Sequence, residues 1–127
     1  YQKLDLGDSV IFTDFIQENE KPQLIAGAKV FVLPSFWEGF GLDVVSAMAC
    51  GVPVVVSNRG SLPEVIGNAG LQINPHDVSD IAAKVREVLL LNTKQQKTLV
   101  SQGLHEINRF NWEKTARETI NVLKSTH

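Results

Sequence analysis

The chain has 127 residues, of which 43% are hydrophobic, and a formal net charge of −2 at pH 7. This length predicts a single domain with a core of its own, and the small charge without a basic cluster argues against nucleic-acid binding. One cysteine, Cys50, excludes an internal disulfide, and without a long apolar run or a signal-peptide pattern we expect a cytoplasmic protein with no transmembrane segment.

The first part of the chain predicts a strand and a short helix. The apolar, β-branched run from Val10 to Thr13 follows Gly7-Asp8 and is typical of a strand. Pro22 suits the first turn of a helix, and the apolar side chains after it continue that helix to Ala28. We therefore expect one strand and one helix before the central part of the chain.

The central segment predicts a strand, a loop with two glycines, a helix and a second strand, which form one βαβ unit. The runs from Val30 to Leu33 and from Val54 to Val56 are apolar on both faces, as in a parallel sheet covered by helices. Apolar side chains at helical spacing lie between them, at Leu42, Val45, Met48 and Ala49.

The remaining chain continues the alternation of strands and helices. Ser61 is placed to cap a short helix, and a strand from Gly70 to Ile73 follows it. Apolar periodicity between Ile81 and Leu89 predicts a helix, the sequence from Thr93 to Gln96 is typical of a capping box, and Asn111 is placed to cap a final helix. We expect an α/β fold, with a three-layer, Rossmann-like parallel sheet of about four strands flanked by helices.

The loop of the central unit has the chemistry of a binding site. It follows the carboxyl end of a strand and opens a helix, where free backbone N–H groups and the helix dipole favour an anion. Gly39 and Gly41 allow backbone to approach a ligand closely, and the Glu38 carboxylate can accept hydrogen bonds from hydroxyls. A sugar phosphate or a nucleotide sugar suits this combination. The alternatives are a solvated loop carboxylate at Glu38 and a tight turn at the glycines.

Residues 34–56 resemble the donor-site signature of the retaining glycosyltransferases of family 4, also called glycosyl transferases group 1, which have the GT-B fold. So many matches at fixed spacing are more specific than a lone glycine motif. The matching residues are Pro34, Ser35, Glu38, Gly39, Phe40, Gly41, Leu42, Ala47, Met48, Ala49, Gly51, Pro53 and Val54.

The resemblance implies roles for the loop. Glu38 would bind hydroxyls of the donor sugar and support the charge that develops on the sugar during transfer. Backbone contacts to sugar and phosphate are implied for Gly39, Phe40, Gly41 and Leu42. The reaction would proceed with retention of anomeric configuration, with the leaving phosphate held by helix N-termini and basic residues, and without a metal or other cofactor.

Further positions carry open alternatives. The family has a second glutamate that binds the ribose hydroxyls, but here Ser46 stands in its place and offers one hydroxyl. Phe15 lies in the region that family members place by the nucleotide base, although a core position is at least as strongly favoured. Phe36 and Trp37 either pack under the loop or line the donor pocket. Arg59 is interpreted as an exposed loop residue, with a contact to phosphate as the alternative.

The resemblance covers nearly the whole chain and also implies missing parts. The family's C-terminal domain begins with two further βα units, which carry an Arg and a Lys for the donor diphosphate, and an N-terminal domain binds the acceptor. We therefore interpret residues 1–127 as one fragment of a donor-binding domain that takes a UDP-, GDP- or ADP-sugar. Its partners would be the N-terminal domain, which would also provide any peripheral contact with the inner membrane face, and a second copy of the chain.

Two other functions stay open at this point. One is a non-catalytic module that binds a nucleotide sugar or phosphate, which Ser46 in place of the glutamate favours. The other is a doubly wound domain whose glycine loop serves only packing or association. Without its missing parts, the chain alone is expected to lack transferase activity.

Overall fold

The computed structural model describes residues 4–125 and shows strands and helices that alternate along the chain. A short 3₁₀ helix spans Gly7–Ser9, and a second one spans Ile107–Arg109. The strands are β1 (Phe31–Leu33), β2 (Val54–Ser57) and β3 (Gly70–Ile73). The helices are α1 (Lys21–Ala26), α2 (Leu42–Ala49), α3 (Leu62–Ile66), α4 (Val78–Leu89), α5 (Thr93–Glu106) and α6 (Trp112–Ser125).

The three strands form a parallel sheet in the order β1-β2-β3. Val55 of β2 lies opposite Val32 of β1 and Leu71 of β3, which sets the register on both sides. All four residues of β2 are buried, as the continuous apolar run of a central parallel strand predicts. The predicted βαβ unit and the parallel sheet are confirmed.

The sheet is covered on both faces, so the architecture has three layers. On one face, α2 and α3 pack on β2 and bury a cluster that includes Val44, Met48 and Leu62. On the other face, α4 packs on β3 with Val88 against Ile73. The predicted α/β class with flanking helices is confirmed.

The number of strands is smaller than predicted. The run from Val10 to Thr13 is not a strand, and the part of the chain that the structure describes has a three-stranded sheet. Ile11 and Phe12 are 81% and 69% exposed. A β-branched run becomes a strand only where a neighbouring strand accepts its hydrogen bonds, and this run is not paired with the edge strand β1.

The helix caps agree with the sequence prediction in type but not always in position. Asn111 caps α6, since its Oδ1 accepts a hydrogen bond from the Lys114 N–H at 3.0 Å. The capping box of α5 uses Asn92 and Gln95, one residue earlier than predicted. Asn is at least as good an N-cap as Thr, so the box shifts by one position. Ser61 precedes α3 but makes no side-chain capping bond.

The last helix lies on the outside of the fold. None of the residues of α6 is buried, and Trp112 at its start is 76% exposed. Within residues 4–125, no helix has the length and apolar character needed to cross a membrane.

Candidate functional site

The candidate site is built on the loop that joins β1 to α2, residues 34–41, which we call the glycine loop. It lies at the carboxyl edge of the sheet, where ligands bind in open α/β folds. Glu38 is half-buried in this loop, and its Oε1 accepts a hydrogen bond from the Ser35 hydroxyl at 2.8 Å. A carboxylate has further lone pairs, so Glu38 retains the capacity to accept hydrogen bonds from a ligand.

The end of the glycine loop depends on Gly41. This residue has φ +97° and precedes the first residue of α2, a left-handed conformation that glycine adopts without strain. A Cβ atom at Gly41 would lie 2.6 Å from Cδ2 of Leu62, so the backbone packs directly on α3. The glycine is required here by both backbone geometry and packing.

The loop that follows β2 supports the glycine loop from below. The Ser61 hydroxyl lies 3.1 Å from the Glu38 carbonyl oxygen and 2.9 Å from that of Phe40. The Ser61 N–H also donates to the Glu38 carbonyl, at 3.3 Å. These contacts join the loops after β1 and β2 into one edge of the site.

A partly apolar cavity adjoins the glycine loop. Its volume is about 460 Å³, and its lining includes Phe40, Leu42 and Trp112 with the cations Arg109 and Lys114. The Phe40 ring meets the Phe110 ring edge to face, with a centroid distance of 5.2 Å. Glu38 is not part of the lining, so the cavity lies beside the carboxylate and not around it.

The structure also shows the surroundings of the residues for which the sequence left two roles open. Ser46 is exposed, and its hydroxyl donates to the Leu42 carbonyl at 3.0 Å, one helical turn earlier. Phe15 is 87% exposed, so the core alternative is wrong. Phe36 is 64% exposed and stacks on the His76 ring at a centroid distance of 4.7 Å. Trp37 is 75% exposed, and neither aromatic is buried under the loop.

Two charged residues near the loops at the carboxyl edge of the sheet, Arg59 and Asp77, differ in their surroundings. Arg59 is exposed, as expected. Asp77 caps α4 by accepting hydrogen bonds from the N–H groups of Ser79 and Asp80. Among residues 4–125, no group of three or more His, Cys, Asp or Glu side chains is placed to hold a metal ion.

Sequence reasoning missed the residues that hold the loop in place. Ser35 matches the donor-site signature, but only its contact with Glu38 gives it a role. Gly60, Ser61 and Phe110 lie outside that signature. The only sequence feature that pointed to such a support was the pair Gly60-Ser61, a glycine and a hydroxyl in the loop after β2. This loop lies beside the glycine loop because β2 is the neighbour of β1 in the sheet.

Comparison with known proteins adds a family to this geometry. The family model described as Glycosyl transferases group 1 matches residues 1–105. Among curated proteins, O-antigen chain mannosyltransferase B of Escherichia coli is 42% identical over 113 residues, which are 89% of this chain and 29% of that protein.

Solved structures give the same result for the fold. Sucrose-phosphate synthase from Thermosynechococcus elongatus superposes with a TM-score of 0.88 and 31% identity over 98% of this chain and 32% of that chain. Anabaena HepE in complex with UDP and glucose has a TM-score of 0.82 and 26% identity, over 98% of this chain and 34% of that chain. The structural neighbours have the GT-B fold, so the three layers described above correspond to part of that fold.

The chain spans about a third of the length of these relatives. The match of the family model nevertheless covers most of the chain, and it includes the whole glycine loop. The chain therefore belongs to the glycosyl transferases group 1 family.

Proposed function

We propose that this chain is the donor-binding part of a glycosyltransferase that transfers a sugar from a nucleotide sugar to an acceptor. The observation that carries the proposal is the Glu38 carboxylate, which Ser35 holds at the carboxyl end of β1 next to the start of α2. A nucleotide sugar presents hydroxyls and a diphosphate side by side, and this edge offers a carboxylate beside a helix N-terminus. The neighbour solved with UDP and glucose contains both halves of such a donor.

In this proposal each part of the glycine loop has one task. Glu38 accepts hydrogen bonds from hydroxyls of the donor sugar and stabilises positive charge that develops on the sugar. Backbone groups from Gly39 to Leu42 contact the sugar and the phosphate, since Gly39 is exposed and a Cβ atom built on it would have no neighbour within 4 Å. The positive end of the α2 dipole favours the leaving phosphate.

The finer features of the reaction are part of the same proposal. We assign the chain to family 4 and the transfer to retention of anomeric configuration, with a UDP-, GDP- or ADP-sugar as donor and no metal ion. The support is the agreement of residues 34–56 with the signature of that family. The anomeric configuration of the product, read from its NMR coupling constants, tests retention, and an inverted product would contradict it.

Two further contacts to the nucleotide are proposed. Ser46 is exposed one turn into α2, and its hydroxyl takes the place of the family's carboxylate with a single contact to the ribose. Phe15 is exposed and lies near the base in the assembled enzyme. The alternative of a non-catalytic module is not favoured, since relatives over most of this chain are named as transferases and synthases.

The remaining parts of the proposal concern the whole enzyme. Residues 1–127 form part of the donor-binding domain, and an N-terminal domain of the same enzyme binds the acceptor. The isolated chain is inactive and associates with a second copy. The support is the edge strand β1, which pairs only with β2 among the described residues, and the exposed apolar side chains of α6.

The test is a substitution of Glu38 in the full-length enzyme. Glu38→Gln should lower kcat/KM at least tenfold, about 1.4 kcal/mol of transition-state stabilisation, because the charge is lost while the shape is retained. Glu20→Gln is the matched control, since Glu20 is exposed at the start of α1 and makes no side-chain capping bond. Unchanged kinetics in a folded Glu38→Gln enzyme would contradict the proposal.

A further inference from the structure

Three consecutive residues after β2 touch three points of the glycine loop. A Cβ atom at Gly60 would lie 2.6 Å from the Glu38 carbonyl oxygen and 3.0 Å from the Glu38 nitrogen. Ser61 contacts the Glu38 and Phe40 carbonyls, and the Leu62 side chain packs under Gly41. Leu62 is fully buried in the core, so the segment 60–62 is a fixed support for the loop.

The Ser61 hydroxyl lies between two carbonyl oxygens of the glycine loop. Its distances to them, 3.1 Å to Glu38 and 2.9 Å to Phe40, are both within hydrogen-bond range. A hydroxyl has one proton to donate, so the two carbonyls share it in a three-centre bond. The Ser61 side chain therefore holds two peptide groups of the loop, the one between residues 38 and 39 and the one between residues 40 and 41.

Holding these carbonyls also orients two amides. In a trans peptide the N–H points opposite to the C=O, so the N–H groups of Gly39 and Gly41 point away from Ser61. Neither N–H has a hydrogen-bond partner within residues 4–125. Ser61 therefore sets the direction of two backbone donors as well as the position of the Glu38 main chain.

We propose that Ser61 is a positioning residue for the donor site, and that Gly60 provides the close approach that this role requires. The inference rests on the proposed function, because it assigns Ser61 an effect on donor chemistry through Glu38 and the loop amides. Ser61 does not touch the donor. The contacts of its hydroxyl explain why it makes no side-chain capping bond to α3.

A double-mutant cycle in the full-length enzyme tests this role. Ser61→Ala should lower kcat/KM roughly threefold to tenfold, because misplacement of a catalytic group by a fraction of an ångström is costly. In a Glu38→Gln background the same substitution should lower kcat/KM by a clearly smaller factor, since coupled residues are not additive and only the effect through the loop amides remains. If Ser61→Ala lowers kcat/KM by the same factor in both backgrounds, or does not lower it in the wild-type enzyme, the inference is overturned.

The same cycle gives a different result if the proposed function itself is wrong. In that case Glu38→Gln alone leaves the kinetics unchanged. Ser61→Thr retains the hydroxyl and should restore kcat/KM to within about twofold of wild type. A Ser61→Thr enzyme as impaired as Ser61→Ala would overturn the role of the hydroxyl. Ser101→Ala in α5 is the matched control, since Ser101 is exposed and its hydroxyl makes no hydrogen bond within the described chain.

A measurement on the chain itself separates positioning from general stability. In Ser61→Ala, protection from hydrogen exchange at the amide of residue 61, which donates to the Glu38 carbonyl, should fall about tenfold, while amides of α4 exchange at the wild-type rate. The expected result is a local change, because Ser61 contacts only the glycine loop by its side chain. Uniform acceleration throughout the chain would show a purely structural role and would overturn the inference.

Discussion

A methyl group at Gly60 should disturb the support of the glycine loop more than its size suggests. Gly60 has φ +59°, and a Cβ atom there would lie 2.6 Å from the carbonyl oxygen of Glu38. The obstacle is backbone and not a flexible side chain, so it cannot rotate away. Gly60→Ala therefore combines a left-handed conformation with a forced displacement of the loop.

The two costs are separable in magnitude. A non-glycine residue in the left-handed region costs about 1–2 kcal/mol, and displacing packed atoms costs about 1–3 kcal/mol. Alanine also lowers the conformational entropy of the unfolded chain, and this stabilises the folded state by about 0.4–1 kcal/mol. The net loss of unfolding free energy should be about 1–5 kcal/mol, a substantial part of the 5–15 kcal/mol of a typical domain.

Urea unfolding of the chain, followed by circular dichroism at fixed protein concentration, measures this loss. With a slope of about 2 kcal/mol per molar urea, the midpoint should fall by about 0.5–2.5 M. Gly39→Ala is the matched control, because a Cβ atom at Gly39 has no neighbour within 4 Å, and its midpoint should not fall. Equal midpoints for Gly60→Ala and wild type would refute the close packing of the two loops.

Two more predictions concern the nucleotide and the isolated chain. Ser46→Glu in the full-length enzyme should tighten the binding of a ribonucleotide donor, since each hydrogen bond between hydroxyl and carboxylate contributes about 1.5–3 kcal/mol before desolvation. Calorimetric titration measures the affinity, and an unchanged or weaker affinity would show that the site is built around serine. The chain alone should form a dimer or a larger species at micromolar concentration, because β1 is an open edge. A light-scattering mass of one chain would contradict this.

Much of the fold follows from the pattern of apolar residues. The strand from Val54 to Ser57 and the helix from Leu42 to Ala49 lie where a continuous apolar run and a 3.6-residue period predict them. The run from Val10 to Thr13 is also rich in apolar, β-branched residues but is not a strand. Strand formation depends on a partner, and the sequence does not show which neighbours a run will find.

The candidate site was predictable only in part for a similar reason. Glu38 and the loop glycines are contiguous in sequence, so their spacing carries the signal. Ser61 is 23 residues from Glu38, and Phe110 lies 70 residues from Phe40, so these contacts exist only after the strands pair and the helices pack. The direction of the Ser46 hydroxyl, toward the carbonyl of Leu42, also depends on the helix itself.

The most direct test of the donor site is a crystal structure of the full-length enzyme with its nucleotide sugar. We expect a carboxylate oxygen of Glu38 within about 2.5–3.2 Å of a hydroxyl of the donor sugar. The Ser61 hydroxyl should still contact the carbonyls of Glu38 and Phe40. A donor bound away from the glycine loop, with Ser35 as the hydrogen-bond partner of the Glu38 carboxylate and no donor atom near it, would contradict the account.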